Sequence, residues 1–331
     1  MLILRGEEVR HLLAGRETEV LDAVRDAYRA HASGETEVPH SLFLRLPGEG
    51  ANRIIALPAY LGGREPVAGV KWIGSFPANI RAGMERASAV IVLNSTASGR
   101  PEAILEGSVI SAARTGACAA VAASAMLPGG GGSRIGVLGC GVINFEVVRF
   151  LGVACPPLAA VQLYDIDRGR AERFARRCQD TFPHVEVAIA GGFADLLREN
   201  RLISIATTAS APHIERLVGS APGSVVLHVS LRDLSPALIL ECDNVVDDAD
   251  HVCRERTSLH LAEQLTGGRD FIRCSIGEVL LGSAPARAGD ERTTVFSPFG
   301  LGILDLALAS LVVRLATERG IGLRIDDFLP A

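Results

Sequence analysis

Two glycines one residue apart, in the run IGVLGCGVIN at 135–144, have the spacing that most plainly implies chemistry in this chain. Positions without a side chain let a backbone turn approach a diphosphate. A helix that starts at the second glycine offers unpaired N–H groups and the positive end of its dipole to the phosphate charge. Residues 135–138 read as the apolar strand leading in, and 143–153, apolar at three- and four-residue spacing, as the helix leading out. A second apolar segment, 161–164, ends in Asp165, 21 residues beyond Asn144. A carboxylate there accepts both ribose hydroxyls of NAD and repels a 2′-phosphate. NAD is therefore the expected cofactor, although Arg168 and Arg170 close behind the acid leave NADP open. An ordinary glycine turn in an α/β sheet is the competing explanation, and Asn144 stands where the usual fingerprint has its third glycine. Gly139, Gly141, Val142, Ile143, Asn144 and Asp165 are the expected cofactor residues, joined by Thr207, Thr208, Ser230 and Gly300 near later strand ends.

A second set of residues is cationic. Lys71 lies inside the apolar run VAGVKWIGSF, where a buried ammonium is costly unless it meets a carboxylate or an anionic ligand. A lysine at a strand edge with its head in water fits the same pattern equally well. Arg53 opens RIIALP, and Arg114 sits in an alanine-rich helix where a guanidinium needs a bidentate acceptor. Alternation could place Arg45 on a solvent face. Asp233 follows an apolar strand of the nucleotide domain, so it either orients an amine or relays a proton, or it closes an Asx-turn or helix cap. Asp247, Asp248 and Asp250 with His251 have the composition of a metal cluster, but solvated strand-end acids are commoner and no second ligand set stands nearby, so no metal is expected. His228 reads as a local packing residue, and Glu278 as a helix cap or a member of a hydrogen-bond network.

These residues need two domains to hold them. The 331 residues exceed what one core usually fills. A composition of 48% hydrophobic and 21% charged residues with a formal net charge of -5 gives no electrostatic reason to expect nucleic acid. Seven cysteines, odd in number and without CxxC spacing, favour reduced thiols in a cytoplasmic protein, with Cys140 as a small side chain beside the cofactor. MLILRGEEVR lacks the layout of a signal peptide, and the apolar stretch 108–127 is interrupted by Arg114 and hydroxyl residues, so it reads as a buried helix and not a membrane span. Residues 7–32 form one or two amphipathic helices broken near Gly15. From 41 to 91 short β-rich runs alternate with turns, which suggests antiparallel strands. Strands at 135–138, 161–164, 185–190, 202–206, 224–229 and 243–247 alternate with helices at 143–153, 168–180, 192–198 and 256–265, the pattern of parallel βαβ units. A final amphipathic helix at 303–317 returns to the first domain. The expected architecture is α/β: a Rossmann dinucleotide-binding domain at 129–298, and a discontinuous α+β substrate-binding and dimerisation domain at 1–128 with 299–331. Pro128 and the four glycines after it mark the junction.

In order and content these pieces resemble the ornithine cyclodeaminase and mu-crystallin family over nearly the whole chain. The likeness rests on ALPAYLGG, GVKW, LNSTASGRPEAILEG, SAARTGACAA, GCGVIN, SIGEVLLG and VFSPFGLGILDLA. It implies that Lys71 and Arg114 face the substrate, Lys71 at the reacting centre and Arg114 on a carboxylate, and that two copies join through the β-rich domain. RIIALPAYLGG, VKWIGSFPANI, RASAVIVLN, LHVSLRDLSP and VVDDADHVCRERTSLHLAEQ resemble the branch that makes L-2,3-diaminopropionate for siderophores and antibiotics. That resemblance implies a substrate in which glutamate nitrogen carries a diaminopropionate unit, supplied by a PLP-dependent synthase from O-phosphoserine and glutamate. NAD takes hydride from the glutamate Cα, and water splits the imine. The three carboxylates of such a substrate suit Arg53, Lys71, Arg86 and Arg114, more cations than one amino acid needs. On this resemblance Lys71 and Asp233 are catalytic, and Arg53, Arg86 and Arg114 bind substrate. Cyclisation of ornithine to proline, amino-acid dehydrogenation or ketimine reduction, and cofactor binding without turnover are the alternatives.

Overall fold

The computed structural model describes residues 1–47, 52–127, 133–289 and 291–329. The turn expected around 47–52 and the glycine run expected to part the domains fall largely outside them. The chain divides into two compact units, Met1–Arg114 with Leu301–Ala331, and Thr115–Gly300. The first division thus falls inside the helix Ser108–Met126, ahead of the glycine run.

The first unit is built on an eight-stranded sheet. In spatial order its strands are Leu323–Arg324, Leu2–Leu4, Pro101–Glu106, Ala87–Asn94, Val67–Ser75, Arg53–Leu61 and Thr36–Glu37, with Leu42–Arg45 also paired to Arg53–Leu61. Pairing is antiparallel except between Leu2–Leu4 and Pro101–Glu106. Those two strands and Leu323–Arg324 are not legible as strands in the sequence: two are only two or three residues long, and PEAILE begins with a proline and carries two glutamates. Strand alternation gives the sheet two unlike faces. One row across it, Leu57, Lys71, Ile91 and Leu105, is buried, and the helix Gly302–Arg319 packs on the strands that carry the first three. The helix Glu17–Ala32 packs in turn on Gly302–Arg319. It is separated from the helix Gly6–Leu13 at Gly15, which takes a positive φ.

The second unit holds an eight-stranded sheet that is parallel throughout. Its order is Glu186–Ile189, Ala160–Tyr164, Arg134–Leu138, Leu202–Ile205, Val225–His228, Thr294–Ser297, Asp243–Val246 and Ile272–Ser275. The six strands expected from the sequence are present. Ile272–Ser275 and Thr294–Ser297 are additions, and the latter wedges between two strands that precede it in the chain. From Arg134–Leu138 the succession runs outward in one direction, then resumes on the other side with Leu202–Ile205. That reversal is where a doubly wound sheet opens a ligand crevice beyond the strand carboxyl ends.

Residues 117–123 of the helix Ser108–Met126 are fully buried. This is the one described helix long and apolar enough to cross a membrane by length and composition, and 67% of its most apolar window is buried. Its small residues have a packing reason. A Cβ at Gly116 would stand 2.6 Å from the backbone carbonyl carbon of Glu146, so this helix and Val142–Ala154 meet backbone to backbone.

Candidate active site

In the second unit the cradle forms where strand Arg134–Leu138 runs out. Gly139 has φ +91°, and a Cβ there would lie 2.4 Å from the carbonyl oxygen of Ala206 on the neighbouring strand's extension, so only glycine fits. A Cβ at Gly141 would meet nothing within 4 Å, and the helix Val142–Ala154 that follows has no side-chain cap. Open space before an uncapped helix start suits a diphosphate. Asp165 is oriented by the turn itself: Cys140 N–H donates to Oδ2 at 2.8 Å, and Asp167 N–H to Oδ1 at 2.9 Å. An ionised carboxyl has about four acceptor sites, so two amide donors leave capacity for ribose hydroxyls. These features fit NAD. Burial, with help from the Asp165 charge, pushes the Cys140 thiol up to about 12, so it stays protonated and serves as a small filler.

Asn144 departs from its expected place on the ligand. It is fully buried; Nδ2 donates to the carbonyls of Leu138 at 2.9 Å and Gly139 at 2.7 Å, while Oδ1 accepts from Ser204 Oγ at 2.6 Å. Its amide ties the strand end, the turn and the adjacent strand together behind the cradle, so all three of its bonds position the turn. Asp233 needs a similar correction. It is fully buried, and its oxygens accept from the hydroxyls of Thr207 and Ser230, with His228 Nε2 3.5 Å from Oδ2. Burial pushes this carboxyl up, but hydrogen bonds and charge from His228, with the two hydroxyls, outweigh it and hold it below the usual carboxylate range. Asp233 therefore fixes Thr207 and Ser230 at two strand ends and does not present itself as an open base. It does not cap the helix Pro236–Glu241, where Ser235 holds that position. Thr208 is exposed just past Thr207, and Val142 and Ile143 occupy the first turn of the cradle helix. Gly300, with φ +94°, is held by Asp247: Gly300 N–H donates to Oδ2 at 2.7 Å, and Phe299 N–H to Oδ1 at 2.9 Å. Glu278 closes a capping box with Ser275.

The cationic set lies in the first unit. Lys71 is 2% exposed, which removes the edge-lysine alternative. Its Nζ donates to Asp305 Oδ2 at 2.6 Å and to Ser111 Oγ at 3.2 Å. Arg114 Nε donates to the other oxygen of the same carboxylate at 3.1 Å. Burial alone would raise the Asp305 carboxyl, but the charges of Arg114 and Lys71 and their hydrogen bonds bring it below the usual range, so it stays ionised. Asp305 reaches them because the helix starts so near the sheet. A Cβ on Gly302 would stand 3.0 Å from Ala59 Cβ and from the Leu57 carbonyl oxygen, so glycine brings the first turn down onto that strand. Asp305 and Ser111 were not singled out from the sequence. An acid in the otherwise apolar run GILDLALAS was the available signal for the first, and a hydroxyl one turn before Arg114 for the second.

Arg53 and Arg86 come together at one end of the same strands. Arg45, Arg53, Ser75 and Ala87 form one register row, and Phe76 N–H donates to the backbone carbonyl of Arg86 at 2.8 Å. Burial and the neighbouring Arg53 charge both lower the Arg86 guanidinium from its usual value. Ser75 is four residues along the strand from Lys71, about 13 Å at ~3.3 Å per residue, and side-chain alternation puts Arg53 and Lys71 on the same sheet face.

Comparison with known proteins agrees with this layout. The model of the ornithine cyclodeaminase/mu-crystallin family matches residues 2–319. The chain is 27% identical to N-((2S)-2-amino-2-carboxyethyl)-L-glutamate dehydrogenase of Staphylococcus aureus over 98% of each chain. It is 29% identical to alanine dehydrogenase of Archaeoglobus fulgidus, covering 99% of this chain and 98% of that one. A solved structure of an archaeal alanine dehydrogenase dimer with bound NAD superposes with a TM-score of 0.88 at 26% identity over 99% of both chains.

Proposed function

The chain belongs to the ornithine cyclodeaminase/mu-crystallin family, and we propose that it cleaves N-(1-amino-1-carboxy-2-ethyl)-L-glutamate oxidatively to L-2,3-diaminopropionate and 2-oxoglutarate. It is an NAD-dependent oxidoreductase acting on a C–N bond. Gly139, Gly141 and the first turn from Val142 hold the diphosphate, and Asp165 holds the ribose. NAD, when bound, supplies the hydride acceptor. The substrate loses hydride from the glutamate Cα and a proton from its nitrogen; water then adds to the C=N bond, and the C–N bond breaks. Atoms balance with one water consumed and one NADH and one proton formed.

The observation that supports this substrate is the gathering of Arg53, Lys71, Arg86 and Arg114 in one unit, set beside the likeness to the staphylococcal dehydrogenase. Arg114 binds a carboxylate next to the reacting carbon, while Arg53 and Arg86 bind another. Lys71, ion-paired with Asp305, polarises the reacting C–N unit or shuttles its proton. Asp233 acts through Thr207 and Ser230. The conjugate comes from a PLP-dependent condensation of O-phosphoserine with glutamate, and diaminopropionate passes to siderophore or antibiotic assembly. We place the reaction in the cytoplasm, where seven free cysteines stay reduced, and the enzyme in a homodimer joined through the open face of the first unit's sheet.

Incubating the purified protein with NAD and the conjugate tests the reaction: equimolar NADH and 2-oxoglutarate are expected. No NADH with the conjugate, but proline from ornithine, would overturn it. The likeness to alanine dehydrogenase supports a second reading, in which NADH forms from alanine with release of ammonia. The same assay with alanine as donor separates the two.

A further inference from the structure

Thr207 and Ser230 share one carboxylate, and that sharing fixes what their hydroxyls can offer a ligand. Thr207 Oγ1 donates to Asp233 Oδ1, and Ser230 Oγ donates to Asp233 Oδ2. The Nε2 atoms of His228 and His213 stand farther off, 3.5 Å from Oδ2 and 4.0 Å from Oδ1, so the two hydroxyls are the nearest side-chain donors to this acid. An ionised carboxylate only accepts, and a hydroxyl has a single hydrogen to give. Ser230 Oγ also lies 3.1 Å from the carbonyl oxygen of Ile205, a second acceptor, so its hydrogen is engaged whichever of the two takes it. Thr207 Oγ1 spends one lone pair on the Ala209 N–H at 3.0 Å. Among the described residues nothing else donates to either oxygen, and both side chains are partly exposed. The pair is an acceptor of two oxygens with a buried negative charge behind it.

The order of the strands says which part of a ligand arrives there. Arg134–Leu138, Leu202–Ile205 and Val225–His228 are consecutive in the sheet. A Cβ at Gly139 would stand 3.4 Å from Thr207 Cα, so Thr207 borders the diphosphate turn directly. Ser230 follows the next strand, about 4.8 Å farther across the sheet. Asp165 lies on the other side of the turn, past Ala160–Tyr164. A dinucleotide whose adenosine ribose is held at Asp165 and whose diphosphate crosses the turn lays its other half over Thr207 and Ser230.

We propose that Thr207 and Ser230 form an acceptor-only subsite that binds the carboxamide N–H groups of the nicotinamide ring and rejects an anionic ring substituent. Asp233 is its positioning residue, since it takes the hydrogen of each hydroxyl away from the ligand side. The inference rests on the NAD cradle and not on the reaction proposed above. A carboxamide brings two N–H donors to the two oxygens; a carboxylate in its place brings no hydrogen and carries a negative charge toward Asp233.

The test is calorimetric titration of the full chain with three ligands: NAD, its nicotinic acid analogue with a carboxylate in place of the carboxamide, and ADP-ribose, which lacks the ring. The wild-type chain is expected to bind NAD at least ~30-fold more tightly than the acid analogue. In Asp233→Asn the new amide donates to one hydroxyl and turns that hydroxyl's hydrogen outward, so the ratio is expected to fall to within about threefold. Ser230→Ala, which removes one acceptor and keeps the acid, is expected to lower the ratio by at least about threefold. ADP-ribose affinity, expected at the wild-type value in both variants, separates a change of polarity from loss of the fold. A purely structural role for Asp233 would weaken both dinucleotides alike and leave the ratio unmoved. If Asp233→Asn loses ADP-ribose binding, Ser230→Ala decides alone. Equal affinity of the two dinucleotides for the wild-type chain, tighter binding of the acid analogue, or a ratio unchanged in the variants that still bind ADP-ribose would each overturn the subsite. No substrate enters these titrations, so a chain that shows the preference but makes no NADH from the conjugate keeps the subsite and loses the reaction.

Discussion

At Asp305 one carboxylate answers two cations, and each of the three groups depends on the other two. Removing the acid leaves an ammonium and a guanidinium close together in a buried site. We expect Asp305→Asn to cost about 3–5 kcal/mol of stability, read as a large fall in melting temperature. Lys71→Ala is expected to lower turnover by about 10²–10⁴-fold, the usual contribution of a positioned acid or base, with NAD affinity measured by fluorescence titration unchanged. Normal turnover in that variant would remove Lys71 from the proton path. Asp233 and Asp305 are both held below the ordinary carboxylate range by their partners. The stability they contribute is complete above about pH 4, the ordinary aspartate value, and is lost as pH falls through their lower folded values. Equilibrium unfolding followed from pH 7 to pH 2 should show this acid-side loss, with a shallower slope in Asp305→Asn. Lys71 and Arg114 were legible in the sequence because a charge inside an apolar run demands a partner. The partner was not, since Asp305 lies 234 residues from Lys71 and nothing local links them. Asn144 was misplaced for the converse reason: its position in a ligand fingerprint was visible, but its inward rotamer depends on Ser204 across the sheet.

At the scale of elements, the first turn of the helix Gly302–Arg319 carries the geometry of the cation centre. Gly302→Ala puts a methyl 3.0 Å from the backbone of Leu57 and from Ala59, so the helix must lift slightly and take Asp305 with it. About 1–3 kcal/mol of destabilisation is expected, with KM for the conjugate raised and NAD affinity at its wild-type value. Unchanged steady-state constants would show that the helix start tolerates the shift. Strands of the second unit were legible because buried parallel strands read as short apolar runs between turn residues. Thr294–Ser297 is not legible as a sheet strand because its neighbours in space, Val225–His228 and Asp243–Val246, come earlier in the chain.

At the scale of the whole molecule, the sheet of the first unit has one face under helix Gly302–Arg319 and another that is apolar and open. Leu42, Leu44 and Trp72, 70%, 51% and 46% exposed, share that open face by register. The homodimer proposed above would cover this face and take the half-exposed tryptophan out of water. Trp72→Glu is expected to convert a dimer to a monomer in light scattering. A wild-type monomer, or a variant that stays dimeric, would remove this face as the interface. The discontinuous first domain was foreseeable from an amphipathic helix left over after the last βα unit, while its boundary within helix Ser108–Met126 was not, because the helix is continuous across it. The Lys71–Asp305 separation also bears on how the protein is made. Synthesis proceeds from the N-terminus at roughly 5–20 residues per second, so Lys71 and Arg114 leave the ribosome long before Asp305 is translated. The cofactor unit, whose residues end at Gly300, is complete first. The first unit must wait, with the cations of its inner sheet face unpaired by Asp305, until that late aspartate is made.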